Sequence, residues 1–321
     1  MLVGMNTPTR MAGYALGLAA VFAAALGAGK VVGGPDPVPP TAAHDGGGHG
    51  ESQGGGHDSG APEVPGGLQV AQDGYRLTPV DGGLPVGQAA PFRFRIVGPD
   101  GAAVMDYTPT HDKDLHLIAV RRDLTGFQHV HPTMAADGTW SVPLAADAPG
   151  QYRIFTDFRP AAREEALTLG VDVPARGDYR PAPLPAPTRS VTVDGYTVTL
   201  AGDLVPGTAS KLTLSVSEGG RSVTDLQPYL AAYGHLVALR DGDLAYLHVH
   251  PDGEPGDGRT APGPDITFYA EVPSAGAYRL FLDFQHAGEV RTAAFTAVAG
   301  GAELPPAPPA PGHDDDGHSH D

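Results

Sequence analysis

From Leu68 onward, apolar and polar residues alternate in short runs separated by turn-forming residues. This is the period-two pattern of strands that bury one face. Residues 91–97 read PFRFRIV, so Phe92, Phe94 and Ile96 share one face while the two arginines take the other. An earlier run covers 74–80, a turn follows at Gly98-Pro-Asp-Gly101, and further runs cover 139–144, 150–158 and 166–173. About seven strands with a turn every 8–12 residues predict an all-β fold, an antiparallel sandwich of immunoglobulin-like or cupredoxin-like build. No segment after residue 30 carries a long helical period.

The pattern occurs twice. Residues 115–132 read LHLIAVRRDLTGFQHVHP and residues 234–251 read GHLVALRDGDLAYLHVHP. Asp241-Gly242 between two apolar runs predicts a two-residue type I′ hairpin, with Arg240 facing Asp243 and His235 facing His248. Alternation along the strand sets His250 on the same face as His248, so three imidazoles converge within reach of one ion. His116, His129 and His131 repeat the arrangement at the same thirteen-residue spacing, and each His-x-His is followed by a proline, which suits a strand end. Val104, Asp106 and Pro109 correspond to Val223, Asp225 and Pro228, and the run from Gly150 to Asp157-Phe158 corresponds to that from Gly276 to Asp283-Phe284. The offset grows from 119 residues at the histidines to 126 at the Asp-Phe pairs, and the Gly/Pro/Asp-rich stretch 252–264 accommodates the difference. Two tandem sandwich domains, 68–177 and 189–299, joined by a Pro-rich linker at 178–188, are therefore expected.

Composition narrows the function. The net charge of −17 argues against nucleic-acid binding, which needs a basic footprint. The absence of cysteine excludes disulfides, thiolate zinc sites and blue-copper centres. Arg10 precedes an uncharged apolar segment, residues 11–29, long enough to span a bilayer. Residues 1–30 are thus expected to form a membrane anchor that holds the domains on the extracytoplasmic side of the cell membrane. The alternative is a signal peptide cleaved near Ala25-Leu26-Gly27, giving a secreted protein. Residues 31–67, with His44, His49 and His57, read as a disordered tether, and 300–321, with His313, His318 and His320 among aspartates, as a disordered tail.

All fourteen histidines lie in these tails or in the two domain clusters. Neutral imidazole suits copper(II), zinc(II) and nickel(II), and copper has the highest intrinsic affinity. The expected ligands are His116, His129 and His131 in the first domain, with His111 or Asp157 as a fourth. In the second they are His235, His248 and His250, with His286 or Asp283 as a fourth. Leu230 stands where the first domain has His111, and Pro160 where the second has His286. The two aspartates could equally orient a ligating imidazole or bond backbone amides. Phe127 and Tyr246, with Ile118, Val120, Val237 and Leu239, are expected to form an apolar floor beneath each site. No nucleophile elbow, Ser-x-x-Lys, phosphate loop or His-Glu-x-x-His motif is present, so no enzyme is expected.

The segments LHLIAVRRDLTGFQHVHP and QPYLAAYGHLVALRDGDLAYLHVHP resemble a group of bacterial exported or membrane-anchored proteins labelled heavy-metal-binding or copper-handling. The likeness extends from about residue 90 to 290. It is carried by His129-Val-His131-Pro132, His248-Val-His250-Pro251 and the upstream His116 and His235. It implies an envelope protein with β-sandwich domains and a role in metal binding. The lack of cysteine and the five methionines argue against copper(I) handling. The expectation is a protein that binds, buffers or delivers divalent copper first and zinc second, with one three-histidine site per domain and a metal-transfer protein as partner. The alternative is a structural or adhesive cell-envelope module whose histidines only stabilise the sandwich.

Overall fold

Alternation becomes strand along most of the chain. Phe92, Phe94 and Ile96 point inward from β3 (Ala90–Val97) while the residues between them are exposed. The computed structural model describes residues 64–247 and 249–301, His250 by its backbone alone. The apolar N-terminal segment, the tether as far as residue 63 and the tail from residue 302 lie outside the described residues. No helix occurs among the described residues, and hence none long and apolar enough to cross a membrane.

In the first sandwich one sheet has the order β1 (Ala71–Gln72), β2 (Tyr75–Pro79), β3, β7 (Trp140–Leu144) and β6 (Thr133–Met134). The facing sheet has the order β5 (Gln128–Val130), β4 (Leu115–Arg121), β8 (Gly150–Phe158) and β9 (Leu167–Ala175). The second sandwich repeats the plan. One sheet runs β10 (Ser190–Val193), β11 (Tyr196–Ala201), β12 (Ala209–Glu218), β17 (Asp265–Glu271) and β16 (Val249–Pro251), with β13 (Arg221–Ser222) beside β12. The other runs β15 (Tyr246–Leu247), β14 (His235–Arg240), β18 (Gly276–His286) and β19 (Glu289–Ala299). Both domains are thus antiparallel immunoglobulin-like sandwiches, each with its own core.

A third apolar core lies between the domains. Strand β4 is buried at every position, and a strand covered on both faces reads as a continuous apolar run instead of an alternating one. Leu115, Leu117 and Ala119 face the first sandwich's interior, whereas Ile118, Val120, Leu124 and Phe155 pack against Val237, Leu239, Leu244 and Phe281 of the second domain. The rings of Phe127 and Phe281 stack with centroids 4.0 Å apart and planes 6° from parallel, and those of Phe155 and Tyr246 lie 5.6 Å apart. The residues expected to floor two separate sites therefore form one interdomain contact. A sheet face that is apolar and outward-facing needs a second such face to exclude water, and the duplicated domain supplies it.

The hairpin also departs from expectation. Ala238 pairs with Leu247 and Leu239 with Tyr246, so the register is two residues longer than an Asp241-Gly242 turn would set. Arg240 N–H donates to the Ala245 carbonyl at 3.1 Å, and the loop is 241–244. Asp243 holds it, pairing with the Arg240 guanidinium and accepting from Ala245 N–H at 3.0 Å. Leu244, in the left-handed region at φ 60°, is then buried in the interdomain core. Leu124 does the same in the first domain at φ 63°. These gains outweigh the turn preference of Asp-Gly, and a shift of two leaves Tyr246 and Leu247 on their expected faces, whereas Val249–Pro251 leave the hairpin and pair with β17 of the opposite sheet.

The ends of the domains are structured. Gly67 N–H donates to the Thr168 carbonyl at 2.8 Å, and Tyr246 N–H to the Gly66 carbonyl at 2.9 Å, so the last residues assigned to the tether bridge both domains. Leu184 of the Pro-rich linker packs against the interdomain core, and Ala182 N–H donates to Asp123 at 2.8 Å.

Candidate metal centre

Strand order and register bring the first domain's histidines together. Leu117 pairs with Val130 and Ile118 with His129. Carried one step further, that register sets His131 against His116, and their ring centroids are 5.0 Å apart. His116 Nδ1 lies 3.2 Å from His129 Nε2 and 3.2 Å from His131 Nε2. Three ring nitrogens, one from each residue, lie within 4.8 Å of one another. Two ligands at bond lengths of 2.0–2.1 Å in a tetrahedron are separated by about 3.3 Å, and cis ligands of a square plane by about 2.9 Å. The two separations from His116 Nδ1 are close to the tetrahedral edge.

The outward-facing nitrogens determine what the inward-facing ones offer. His116 Nε2 is 2.9 Å from the Thr110 carbonyl. A carbonyl only accepts, so Nε2 carries the proton and Nδ1 presents a lone pair. His129 Nδ1 is 2.8 Å from Asp283 Oδ2, a carboxylate of the second domain. Nδ1–H therefore donates, and Nε2 is left facing His116. In a neutral ring this places two lone pairs against each other at 3.2 Å, an arrangement that a cation between them relieves. Burial pushes His116 down to about 3 and His131 down to about 4. Both are therefore neutral at physiological pH, with no proton to displace before an ion binds.

The second domain repeats the outer part of this arrangement. His235 Nε2 is 2.8 Å from the Tyr229 carbonyl, the counterpart of Thr110, and burial pushes His235 down to about 4. Its ring lies 6.3 Å from that of His129 and 5.3 Å from that of His111. A cavity of about 60 Å3 is lined by His111, His116, His129, Asp157, His235 and Tyr246, among others, enough for an ion with a water. A larger cleft of about 520 Å3 beside Gly66, Thr168 and Tyr246 contains no cluster of ligating groups.

The remaining candidates fall as follows. His248 and the side chain of His250 lie outside the described residues. His111 is exposed, with its ring 6.2 Å from that of His116, and it stands at the cavity edge. Asp157 pairs with His116 across β4 and β8, lines the cavity and accepts from the Thr168 hydroxyl at 3.3 Å. Asp283, expected to serve the second domain, instead holds His129 of the first while accepting from Thr292 Oγ1 at 2.6 Å. His286 is not brought to the cluster. Three residues past Asp283, it faces the other way along β18, bonded to Tyr196 at 2.7 Å and Asp225 at 3.1 Å. Sequence reasoning also missed the Thr110 and Tyr229 carbonyls. Each precedes a pair in the left-handed region, His111-Asp112 and Leu230-Ala231, which folds a tight turn back onto the histidine six residues later. Their common offset of 119 residues was the available signal.

The family described as "Domain of unknown function (DUF8832)" matches residues 69–177 and again residues 191–301. No curated protein matches the chain. Solved structures to which parts of the chain are similar include the adhesin InvE of Yersinia pseudotuberculosis, 11% identical over 70% of this chain and 58% of that one, with a TM-score of 0.21. A putative membrane-anchored protein of Corynebacterium diphtheriae is 11% identical over 74% of this chain and 61% of that one, with a TM-score of 0.22. Trypsin-activated alpha-2-macroglobulin of Escherichia coli is 13% identical over 73% of this chain but 16% of that one, with a TM-score of 0.24. The chain thus spans less than two thirds of each, and at such scores the likeness carries no argument about function.

Proposed function

The chain belongs to the DUF8832 family through its two tandem copies, and from that premise we propose that it is an extracytoplasmic protein that binds a divalent transition metal. It buffers or delivers the ion, without catalysis, to a metal-transfer partner. One observation supports this reading above the others: nitrogens of His129 and His131 each lie 3.2 Å from His116 Nδ1, all three within 4.8 Å of one another, while the opposite nitrogens of His116 and His129 are held by a carbonyl and a carboxylate. Intrinsic affinity favours copper(II), and the tetrahedral spacing favours zinc(II). The cavity beside His111 and His235 leaves room for an exchangeable ligand. Titration calorimetry of the purified protein with each ion is expected to give a tight site that His116→Ala removes. A tight site of unchanged stoichiometry in that variant refutes the assignment.

The bond between His129 and Asp283 favours a second reading. With no ion bound, the hydrogen bond from His129 Nδ1–H to that carboxylate serves as a staple between domains. In that case neither ion binds tightly, and Asp283→Ala destabilises the protein whether or not metal is present.

A further inference from the structure

We propose that the three-histidine centre is shared between the domains, Asp283 of the second being the positioning residue for ligands that all belong to the first. Taking up an ion and locking the two sandwiches together then become one event. This inference rests on the metal reading above and adds a role that no single domain could have.

The contact is direct and its donor and acceptor are fixed. His129 Nδ1–H donates to Asp283 Oδ2 at 2.8 Å across 154 residues of chain. Asp283 is 3% exposed. Its other oxygen accepts from Thr292 Oγ1 at 2.6 Å. Its backbone lies in β18, paired on one side with His235 of β14 and on the other with Thr292 of β19. Both carboxylate oxygens are thus held by a strand in the middle of its sheet. The imidazole they meet is set by this carboxylate in ring orientation and tautomer, and made more basic toward an ion at Nε2. His116 draws the same service from Thr110 within its own domain. The His129 arm is the one hydrogen-bonded to a side chain of the partner domain, whose Tyr229 ring also lies 6.2 Å from that of His131, and the Phe127–Phe281 stack belongs to the same interface.

Loss of such a carboxylate partner typically weakens metal binding about 10–100-fold. Coupling is reciprocal, so an ion held 10–100-fold more tightly when the domains are docked favours docking by the same factor, about 1.4–2.7 kcal/mol. A buried carboxylate answering an imidazole on another domain is therefore the connection through which ion occupancy reaches strands that supply no ligand.

The test uses the whole chain and zinc(II) alone as probe. Calorimetry compares wild type, Asp283→Asn, Thr292→Val and, as a control, Asp225→Asn, whose side chain is 82% exposed and pairs with His286. The expected result is a 10–100-fold weaker site in Asp283→Asn, a smaller loss in Thr292→Val, and an unchanged site in the control. Hydrogen exchange supplies a readout that a merely structural role would not move. Zinc is expected to slow exchange in β18 and β19 of the wild type but not of Asp283→Asn. Affinity within twofold of wild type in both Asp283→Asn and Thr292→Val, or zinc protection confined to β4 and β5, overturns the shared centre while leaving the metal reading intact. If Asp283→Asn does not fold, Thr292→Val and the exchange pattern of the wild type decide alone. No tight wild-type site removes the metal reading and the shared centre with it.

Discussion

Mild acid is expected to unfold the ion-free protein. Burial holds His116 at about 3 and both His131 and His235 at about 4, whereas an imidazole in the unfolded chain titrates near 6.5. The folded values are depressed, so these groups' contribution to stability is fully present above about pH 6.5. It is lost as pH falls toward the folded values, because the unfolded state takes up protons that the folded state refuses. At pH 5 each unfolded ring is almost fully protonated and each buried ring almost fully neutral. The difference is about 2 kcal/mol per ring and about 6 kcal/mol for three, and at that pH it hardly depends on whether a buried ring titrates at 3 or at 4. A loss of that size approaches the whole stability of an ordinary domain, about 5–15 kcal/mol. The carboxylates held low by arginine partners, Asp81 and Asp243, release their contribution only below this window. The measurement is chemical denaturation in chelator at pH 7, 6 and 5, with midpoints compared at constant slope. His131→Gln, which cannot titrate, should remove about a third of the loss. A total change under about 2 kcal/mol between pH 7 and 5 would show that the rings are solvated, and would undo the description of the cluster as buried and neutral.

Two further perturbations probe the interface that buries the cluster. Phe281→Ala removes a 3% exposed ring from the Phe127 stack and should cost about 3–5 kcal/mol. The ring belongs to the core between domains and not to either sandwich core, so calorimetry should resolve two transitions in the variant and a single one in the parent protein. A single transition at the parent temperature would contradict this. Gly67→Ala meets both a φ of 73° and the Phe155 ring, which occupies the space of the added Cβ. It should lower the melting temperature and open the 64–68 segment to proteolysis, and unchanged resistance would show that this segment does not seal the interface.

Much of the fold was legible because alternation reports one-sided burial directly, as in β3, where Phe92, Phe94 and Ile96 face in. The shared face of His116, His129 and His131 was legible for the same reason. What the sequence hid was the second layer. The continuous apolar runs of β4 and β14 were the sign that both faces are covered, yet a local reading took Phe127 and Tyr246 for the floor of separate sites. The hairpin was misread because Asp-Gly is a local preference, whereas Asp243 and the buried Leu244 act through contacts that only the folded chain supplies. The role of Asp283 was hidden most deeply: its partner is 154 residues away on another domain, and nothing in local spacing points across that distance.

The interface has the form of a two-fold dimer written into one chain. Phe127 of the first domain meets Phe281 of the second, and Tyr246 of the second meets Phe155 of the first. The members correspond in pairs at the offsets of 119 and 126 that relate the copies. Such reciprocity, in which one patch meets its own copy, is the signature of an isologous contact. An identical pair of protomers would have to make both halves of the centre alike. A fused pair is free to differ, and this chain does. The turns at His111-Asp112 and Leu230-Ala231 share the same left-handed backbone, so the loop that offers a carbonyl to His116 or His235 is common to both copies. On that common backbone the first copy exposes an imidazole whose ring lies 5.3 Å from that of His235, whereas the second buries a leucine. The ring of His111 thus reaches both His116 and His235, and position 230 of the second copy offers no imidazole in return. The asymmetry resides in a side chain and not in the fold.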